Sequence, residues 1–294
     1  MRVFRFLCLS LLIVVQARGQ VLDSLLVPGT SLDIDIYGNL YVLDSGSNLL
    51  TVYRAGDKRI TGQVGGQGWG NEQFDSPHAV SARNGLDIFV ADYGNHRIQR
   101  FDRALTYVST LYTRDDENPA LRFGYPTDMV LTRLGDLFIC DSENTRILKL
   151  TRSTSVDKAF GGIGGGKGRL LAPRRIESGP GDFLYVLDRN RVVVFDTFGN
   201  FIRELGAGIV VEPKEIYADP DRVLVLDGDR LYRFDDREMM REPVLISDLT
   251  GGRFQGDDVL SIVCSGRNLL MLTEAGVFYA LLPPPGERLN QRGP

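Results

Sequence analysis

The stretch FDSPHAVSARNGLDIFVADYGNHRIQRFD, residues 74–102, contains three short strand patterns separated by two turns. Small polar residues and glycines at 84–85 and 92–95 favour tight turns, so strands are predicted over residues 78–82, 87–91 and 97–101. The middle strand contains IFVA at 88–91, which is apolar without alternation. A strand of this kind is buried on both faces, so another layer must pack on each side of the sheet.

The same pattern recurs along the chain, with an acidic residue at the end of each apolar middle strand. These residues are Asp44, Asp92, Asp141, Asp188, Asp227 and Glu274. They are separated by 48, 49, 47, 39 and 47 positions. A period of about 40–50 residues with four strands per repeat is typical of propeller blades, whose sheets bury both faces against their neighbours. The sequence therefore predicts an all-β protein with the architecture of a six-bladed β-propeller.

These motifs resemble the NHL repeat family, whose pattern is a proline before the first strand, an apolar strand ending in Asp, and an Asn-x-Arg turn. The second blade matches with Pro77, Phe89, Val90, Asp92, Asn95, Arg97, Ile98 and Phe101. The resemblance implies a propeller built of NHL-like blades. It does not select a function, because members of the family include ligand-binding modules, RNA-binding modules, lyases and lactonases.

The recurring aspartates are interpreted as part of the blade architecture. Each ends a strand before a tight turn, where its carboxylate can accept hydrogen bonds from turn amides. An arginine follows within pairing distance in four blades, at Arg97, Arg146, Arg191 and Arg230.

Residues 1–19 have the pattern of a secretory signal peptide. Arg2 and Arg5 precede an apolar run at 6–15, and Ala17 and Gly19 supply small residues before Gln20. The apolar run is short for a membrane span, so cleavage is expected, and retention as an anchor is the alternative. The expected destination is therefore extracytoplasmic, either periplasmic or secreted, with no membrane insertion after cleavage.

The remaining chain is expected to divide into a propeller at 20–282 and a disordered, proline-rich tail at 283–294. The sixth blade lacks an outer strand of its own. We expect residues 21–26 to supply it, because this closes the ring and removes the exposed sheet edges.

The charge balance disfavours nucleic acid as a partner. Without residues 1–19 the chain has 31 basic side chains (34 less Arg2, Arg5 and Arg18) against 38 acidic ones, a net charge near −7. A polyanion is repelled by such a surface unless a basic patch exists, and no run of Lys or Arg is longer than Arg174-Arg175. Cys140 and Cys264 fall in blades on opposite sides of the ring, so both are expected to be free and buried.

The central tunnel is the expected place for a binding site, because the first strand of each blade lines it. The register predicts that Ser31, Ala79, Asp128, Arg175, Glu215 and Ser261 face the axis. Asp128, Arg175 and Glu215 come from consecutive blades, and an arginine can pair with two carboxylates. Such a cluster is either a structural ion network or a ligand site, and both interpretations stay open. His78 is expected at the mouth of the tunnel, and His96 in a solvated turn.

Metal and nucleotide sites are poorly supplied by this sequence. Zinc sites require several His or Cys ligands, and the chain has only two histidines. Arg175 would repel a calcium ion at the axis. The stretch GGIGGGKG at 161–168 resembles a phosphate-binding loop but lacks the Ser or Thr after Lys167 and precedes a strand rather than a helix. Trp69 either packs over the ring or offers a stacking surface.

The sequence favours an exported, non-catalytic scaffold whose small-molecule or protein partner meets the ring face carrying His78, Asp128, Arg175 and Glu215. No metal or cofactor is expected. The alternative is a metal-dependent hydrolase or lyase, similar to the lactonases, with its site at the tunnel. A third possibility is a structural module of a larger envelope assembly.

Overall fold

The computed structural model describes residues 23–54, 56–152, 155–235 and 240–284. Six four-stranded antiparallel sheets are arranged as the blades of a propeller. This confirms the predicted fold class, including the strand that closes the ring. The predicted signal peptide at 1–19, and all of the predicted tail except Pro283 and Pro284, lie outside the described residues.

The first three blades follow one another along the chain, each running from an inner to an outer strand. Blade 1 consists of β2 (Ser31–Ile34), β3 (Leu40–Asp44), β4 (Leu49–Tyr53) and β5 (Ile60–Gly65). Blade 2 consists of β6 (Ala79–Ser81), β7 (Asp87–Asp92), β8 (Arg97–Asp102) and β9 (Tyr107–Leu111). Blade 3 consists of β10 (Pro126–Leu131), β11 (Leu137–Asp141), β12 (Arg146–Thr151) and β13 (Ser155–Phe160).

The last three blades repeat this order, except that the outer strand of blade 6 comes from the start of the described chain. Blade 4 consists of β14 (Pro173–Ser178), β15 (Leu184–Asp188), β16 (Arg191–Phe195) and β17 (Phe201–Leu205). Blade 5 consists of β18 (Pro213–Asp219), β19 (Arg222–Asp227), β20 (Arg230–Asp235) and β21 (Met240–Leu245). Blade 6 consists of β22 (Val259–Ser265), β23 (Asn268–Thr273), β24 (Gly276–Leu281) and β1 (Asp23–Leu25).

Helical structure in the described residues is confined to single turns in the connections. There is one α-helical turn, α1 (Ile246–Leu249), and there are short 3₁₀ turns at Pro119–Leu121, Gly166–Gly168, Pro180–Asp182 and Gly256–Asp258. No helix in this part of the chain is both long enough and apolar enough to cross a membrane.

The middle strands lie between two neighbouring sheets, as their uninterrupted apolar sequence predicts. In β7, Ile88 and Val90 pack towards blade 1, whereas Phe89 and Ala91 pack towards blade 3. Burying both faces removes apolar surface from water along the whole strand, which stabilises each inter-blade contact at roughly 25 cal/mol per Å². Cys140 and Cys264 are both buried and free, as expected.

Five of the six acidic residues used to mark the repeat end a middle strand, namely Asp44, Asp92, Asp141, Asp188 and Asp227. The sixth, Glu274, lies one residue beyond its strand: β23 ends at Thr273, which aligns with the aspartates. Asp92 shows their role, because its carboxylate accepts the backbone amide of Asp75 and pairs with Arg97 at 2.7 Å. These residues therefore serve the blade architecture.

The ring is closed by β1, which pairs antiparallel with β24. The predicted closing segment at 21–26 contains this strand. Lys58 of blade 1 holds it in place, because its ammonium group forms an ion pair with Asp23 and donates to the carbonyl of Ser24. The closure thus joins blade 1 to blade 6 through side chains as well as through the sheet.

The two ends of the ring differ in their loops. We call the end that carries the connections between blades the loop face; these connections are residues 26–30, 66–78, 112–125, 161–172, 206–212 and 246–258. We call the opposite end the turn face. It carries the hairpin turns after the first and third strands of the blades, including residues 35–39, 56–59 and 82–86.

Candidate functional site

The six residues predicted to face the axis occupy one equivalent position in the six inner strands. Each pairs with the penultimate residue of the middle strand in its own blade. The six residues are Ser31, Ala79, Asp128, Arg175, Glu215 and Ser261. All except Ala79 line the central cavity. In blades 3, 4 and 5 the inner strand begins with Pro126, Pro173 or Pro213, and a bulge follows. Proline cannot donate to the ladder, and the bulge redirects the next side chains.

Asp128 and Glu215 are engaged with the backbone of the inner strands. The Asp128 carboxylate accepts the amide of Met129 at 2.9 Å and that of Ile176, in the next blade, at 2.8 Å. Glu215 accepts the amide of Ile216 at 3.0 Å. These bonds fix the two carboxylates and tie blade 3 to blade 4.

Arg175 pairs with Glu215 at 3.1 Å. Asp128 forms no ion pair with Arg175. The arginine therefore does not pair with both carboxylates, as the sequence had suggested it could. Asp128 nevertheless lies close enough to influence the charge of Arg175. The three residues form one electrostatic cluster at the loop-face end of the tunnel.

A second cluster, at the turn-face end, was not predicted from the sequence. Arg83 extends from blade 2 across the axis to blade 5, where it donates to the carbonyl of Ala218 at 2.5 Å. Its guanidinium pairs with Glu177 at 3.0 Å, approaches Asp33 at 3.9 Å, and lies 5.0 Å from the centre of the Tyr217 ring. Arg83 therefore closes this end of the tunnel as a bar between opposite blades.

Burial shifts the protonation of these carboxyl groups. It raises the pKa of Asp128 to about 7 and that of Glu177 to about 8, against the opposing influence of Arg175 and Arg83 respectively. Burial also raises the pKa of Asp33. Desolvation disfavours the charged form of a carboxyl group, so Asp128 and Glu177 bind protons at a higher pH than exposed carboxyl groups do.

The free volume along the axis is small, about 40 Å³. Ligand pockets for drug-sized molecules are about 300–1,000 Å³, whereas a water molecule needs roughly 10–15 Å³ measured in this way. The tunnel therefore has room for a few water molecules beside its own side chains.

His78 lies at the loop-face end and is half-buried. Its ring stacks on Tyr93 with a centroid distance of 3.9 Å, and burial together with the Arg175 guanidinium lowers its pKa. Tyr93 packs against Tyr125 at 5.0 Å. His96, expected in a solvated turn, is instead half-buried against Tyr125 at 4.2 Å. The two histidines thus end an aromatic row across blades 2 and 3.

The loop face exposes large apolar side chains in five of its six connections. They are Leu26, Trp69, Tyr112, Tyr125, Ile163, Leu171, Ile209 and Val211. Trp69 is 70% exposed, so it does not serve burial. The turn face exposes five, which are Ile36, Tyr37, Leu86, Leu134 and Phe198.

Neither a metal centre nor a nucleotide-binding loop is found in the described part of the chain. No group of three or more His, Cys, Asp and Glu residues there is arranged to hold a metal ion. The glycine-rich segment 161–168 ends in the 3₁₀ turn Gly166–Gly168 and leads into β14, so it does not begin an α-helix.

Comparison with known proteins agrees with the architecture. Residues 74–101 match the NHL repeat family. No curated protein matches this sequence. The chain is a six-bladed β-propeller with an NHL repeat in its second blade.

Among solved structures, three structures of lyases have a similar fold. The virginiamycin B lyase of Staphylococcus aureus, in selenomethionine form, has 12% sequence identity and a TM-score of 0.61 over 87% of this chain and 95% of the lyase. A catalytically inactive histidine-to-alanine variant of that lyase, with quinupristin, has 11% identity and a TM-score of 0.60 over 88% and 87%. A streptogramin B lyase has 14% identity and a TM-score of 0.59 over 86% and 78%. At these identities the likeness establishes the fold alone.

Proposed function

We propose that this protein is an exported, non-catalytic scaffold that binds a protein partner on its loop face. One observation carries the proposal: the tunnel has only about 40 Å³ of free volume, because the molecule's own charged side chains occupy it. A binding function then falls to the surface of the ring rather than to its axis.

The loop face is better suited to this role than the turn face. Its connections are longer, up to fourteen residues at 112–125, and binding residues are commonly carried on loops that a rigid scaffold positions. Its eight exposed apolar side chains surround the end of the tunnel at which His78 lies. Exposed apolar groups with a polar surround are typical of protein interaction sites.

The four predicted site residues have different parts in this proposal. His78 and Arg175 are partly exposed and would contact the partner, Arg175 with 19% of its side chain accessible. Asp128 and Glu215 are buried and bonded to backbone amides, and Glu215, which pairs with Arg175, would position it. Nucleic acid is not proposed as a partner, because the net charge is negative.

The proposal is tested by capture of partners from the native extracytoplasmic fraction with two matched variants. Trp69→Ser/Ile163→Ser changes the loop face, and Leu134→Ser/Phe198→Ser changes the turn face at equally exposed positions. Capture of a defined partner should survive the turn-face change and disappear with the loop-face change. Equal capture by both variants, with both folded, would contradict the assignment of the face.

Export is part of the proposal and has its own test. Expression of the full chain in a secretion-competent host should yield a protein whose amino terminus is Gln20. An intact amino terminus in the membrane fraction would instead favour retention as an anchor.

The second candidate is a lyase or hydrolase that acts at the loop-face end of the tunnel. It is favoured by the fold similarity to streptogramin B lyases, one of which is inactivated by replacing a histidine. His78 would be the histidine to test here, since it lies beside the charged cluster. Turnover of quinupristin by wild-type protein with divalent metal, abolished in His78→Ala, would establish this activity. No turnover above that of buffer would leave the scaffold as the better account.

A further inference from the structure

A second cavity lies between blades 6 and 1 on the turn face, away from the tunnel and the loop face. Its volume is about 360 Å³, within the range of small-molecule pockets. Ile34, Leu40 and Leu270 form an apolar floor. Tyr53 and Tyr279 contribute aromatic walls. We call this space the seam cavity, because it lies where the ring is closed.

Tyr53 presents an unpartnered hydroxyl to the seam cavity. The residue is 8% exposed, and its hydroxyl forms no hydrogen bond with another described residue. Solvent reaches this hydroxyl, so water or a ligand in the cavity can supply its hydrogen bond. The equivalent positions in the other five blades are Phe101, Leu150, Phe195, Phe234 and Ala280, none of which has a polar side chain. A hydroxyl at this position is thus specific to the blade that borders the seam.

Lys58 is the second feature that distinguishes the seam. It takes the place that Leu105 fills between blades 1 and 2, since both follow a third strand by equivalent turns and both have positive φ. Leu105 is buried against the neighbouring blade. Lys58 instead reaches outward to Asp23 and the carbonyl of Ser24, with its ammonium 4.8 Å from the Tyr279 ring. Replacing an apolar plug by this lysine leaves the cavity open.

The rim of the seam cavity has an excess of positive charge. Arg54 and Lys58 line it against one carboxylate, that of Asp23. Asp57 accepts the Nε and Nη2 groups of Arg54 and lies 3.6 Å from Arg59. Together, the three cations Arg54, Lys58 and Arg59 exceed the two anions Asp23 and Asp57. One ammonium donor of Lys58 and the Nη1 group of Arg54 are left for a ligand.

We propose that the seam cavity binds a small carboxylic acid with an apolar, ring-sized body. The body lies on Ile34, Leu40 and Leu270, and the carboxylate faces the Tyr53 hydroxyl and the two rim cations. Hydrogen bonds to a charged group are stronger than those between neutral groups, so the carboxylate is the part of the ligand that gives specificity.

The proposal is tested by calorimetric titration with 2-naphthoate, using neutral 2-naphthamide as the matched ligand. Wild-type protein should bind one naphthoate per chain, and the amide about tenfold more weakly. Tyr53→Phe should weaken naphthoate binding by about tenfold, whereas Tyr232→Phe, a buried tyrosine in the third strand of blade 5, should not. Ser265→Trp, which places a large ring at the exposed edge of the cavity, should abolish binding.

Three outcomes would overturn the proposal. They are the absence of naphthoate binding by folded wild-type protein, equal affinity for the amide, and retention of binding in Ser265→Trp. Because the seam cavity lies on the turn face, loss of this binding and loss of partner capture on the loop face are separate results. The far-ultraviolet circular dichroism of each variant shows whether it is folded.

Discussion

The tunnel and the seam cavity are both spaces between neighbouring blades. Their free volumes differ, at about 40 Å³ for the tunnel and about 360 Å³ for the seam cavity. At the axis, five of the six equivalent inner-strand side chains line the tunnel, and Arg83 crosses between opposite blades. At the seam, blade 6 has an outer strand of only three residues, and Lys58 replaces the apolar plug seen at Leu105. The comparison teaches that, of these two spaces, the larger one lies where the repeat is broken and the smaller one at its centre of symmetry.

The largest effect is expected from removing the bar across the axis. Above pH 8, where Glu177 is ionised, Arg83→Met should lower the free energy of unfolding by about 3–5 kcal/mol, because Glu177 and Asp33 would remain buried without their cation. Denaturation by urea measures this. Arg133→Met, which removes an exposed pair with Asp182, is the control and should cost less than about 1 kcal/mol. Similar losses in the two variants would refute the structural role of Arg83.

The second effect is a pH dependence that originates at the axis. The pKa of Glu177 is raised to about 8, so the folded state holds a proton that the unfolded state releases near 4.5. Stability should therefore fall as pH rises from about 5 to 8, and Asp128, with a pKa raised to about 7, adds in the same direction. Glu177→Gln should reduce this loss by on the order of 2 kcal/mol.

The control for this pH dependence is Glu143→Gln, at an exposed pair with Arg114. It should leave the change in unfolding free energy between pH 5 and 8 as it is in the wild type. If Glu177→Gln also leaves that change unaltered, the proton is not held at Glu177.

The third effect concerns the seam. Gly276 has φ of +131°, and a Cβ atom there would collide with the backbone of Leu25 and Leu26. Gly276→Ala should therefore destabilise the fold by about 2–3 kcal/mol and increase hydrogen exchange in β1 and β24. Gly266→Ala, where φ is +60° but the space is open, should cost about 1 kcal/mol. Exchange confined to other blades would contradict a role in closure.

The smallest effect is expected at the side-chain latch of the seam. Lys58→Met should lower stability by only about 1 kcal/mol, because its partner Asp23 is largely exposed. Thermal unfolding can be compared with Lys214→Met, which removes a more exposed pair with Asp257. A loss larger than that of Arg83→Met would reverse the ranking of the two regions.

The residues that face the tunnel could largely be predicted from the sequence. Strands of period two and a repeated terminal aspartate fix the register, so the six axial residues follow by counting. Glu274 was misplaced because Thr273 takes the place of the aspartate and an acidic residue happens to come next. Glu177 could have been found by counting two residues beyond Arg175, since alternate residues face the same side.

Arg83 and the seam cavity could not be predicted in this way. Arg83 follows β6 and enters the tunnel only because its long side chain crosses the axis, which no local pattern reports. The seam cavity depends on how the turn after β4 in blade 1 packs against blade 6, which the sequence does not report. In retrospect, the signals are a lysine where blade 2 has Leu105 and a tyrosine where other blades have apolar residues. They acquire meaning only after the blades are aligned.

The most direct test of the contrast between axis and seam is a crystal structure of the protein with 2-naphthoate. Our account predicts density for the ligand between Tyr53 and Tyr279, with its carboxylate towards Arg54 and Lys58, and only water beside Arg175 and Asp128 in the tunnel. Naphthoate bound against Arg175 at the axis, with the seam cavity unoccupied, would contradict it.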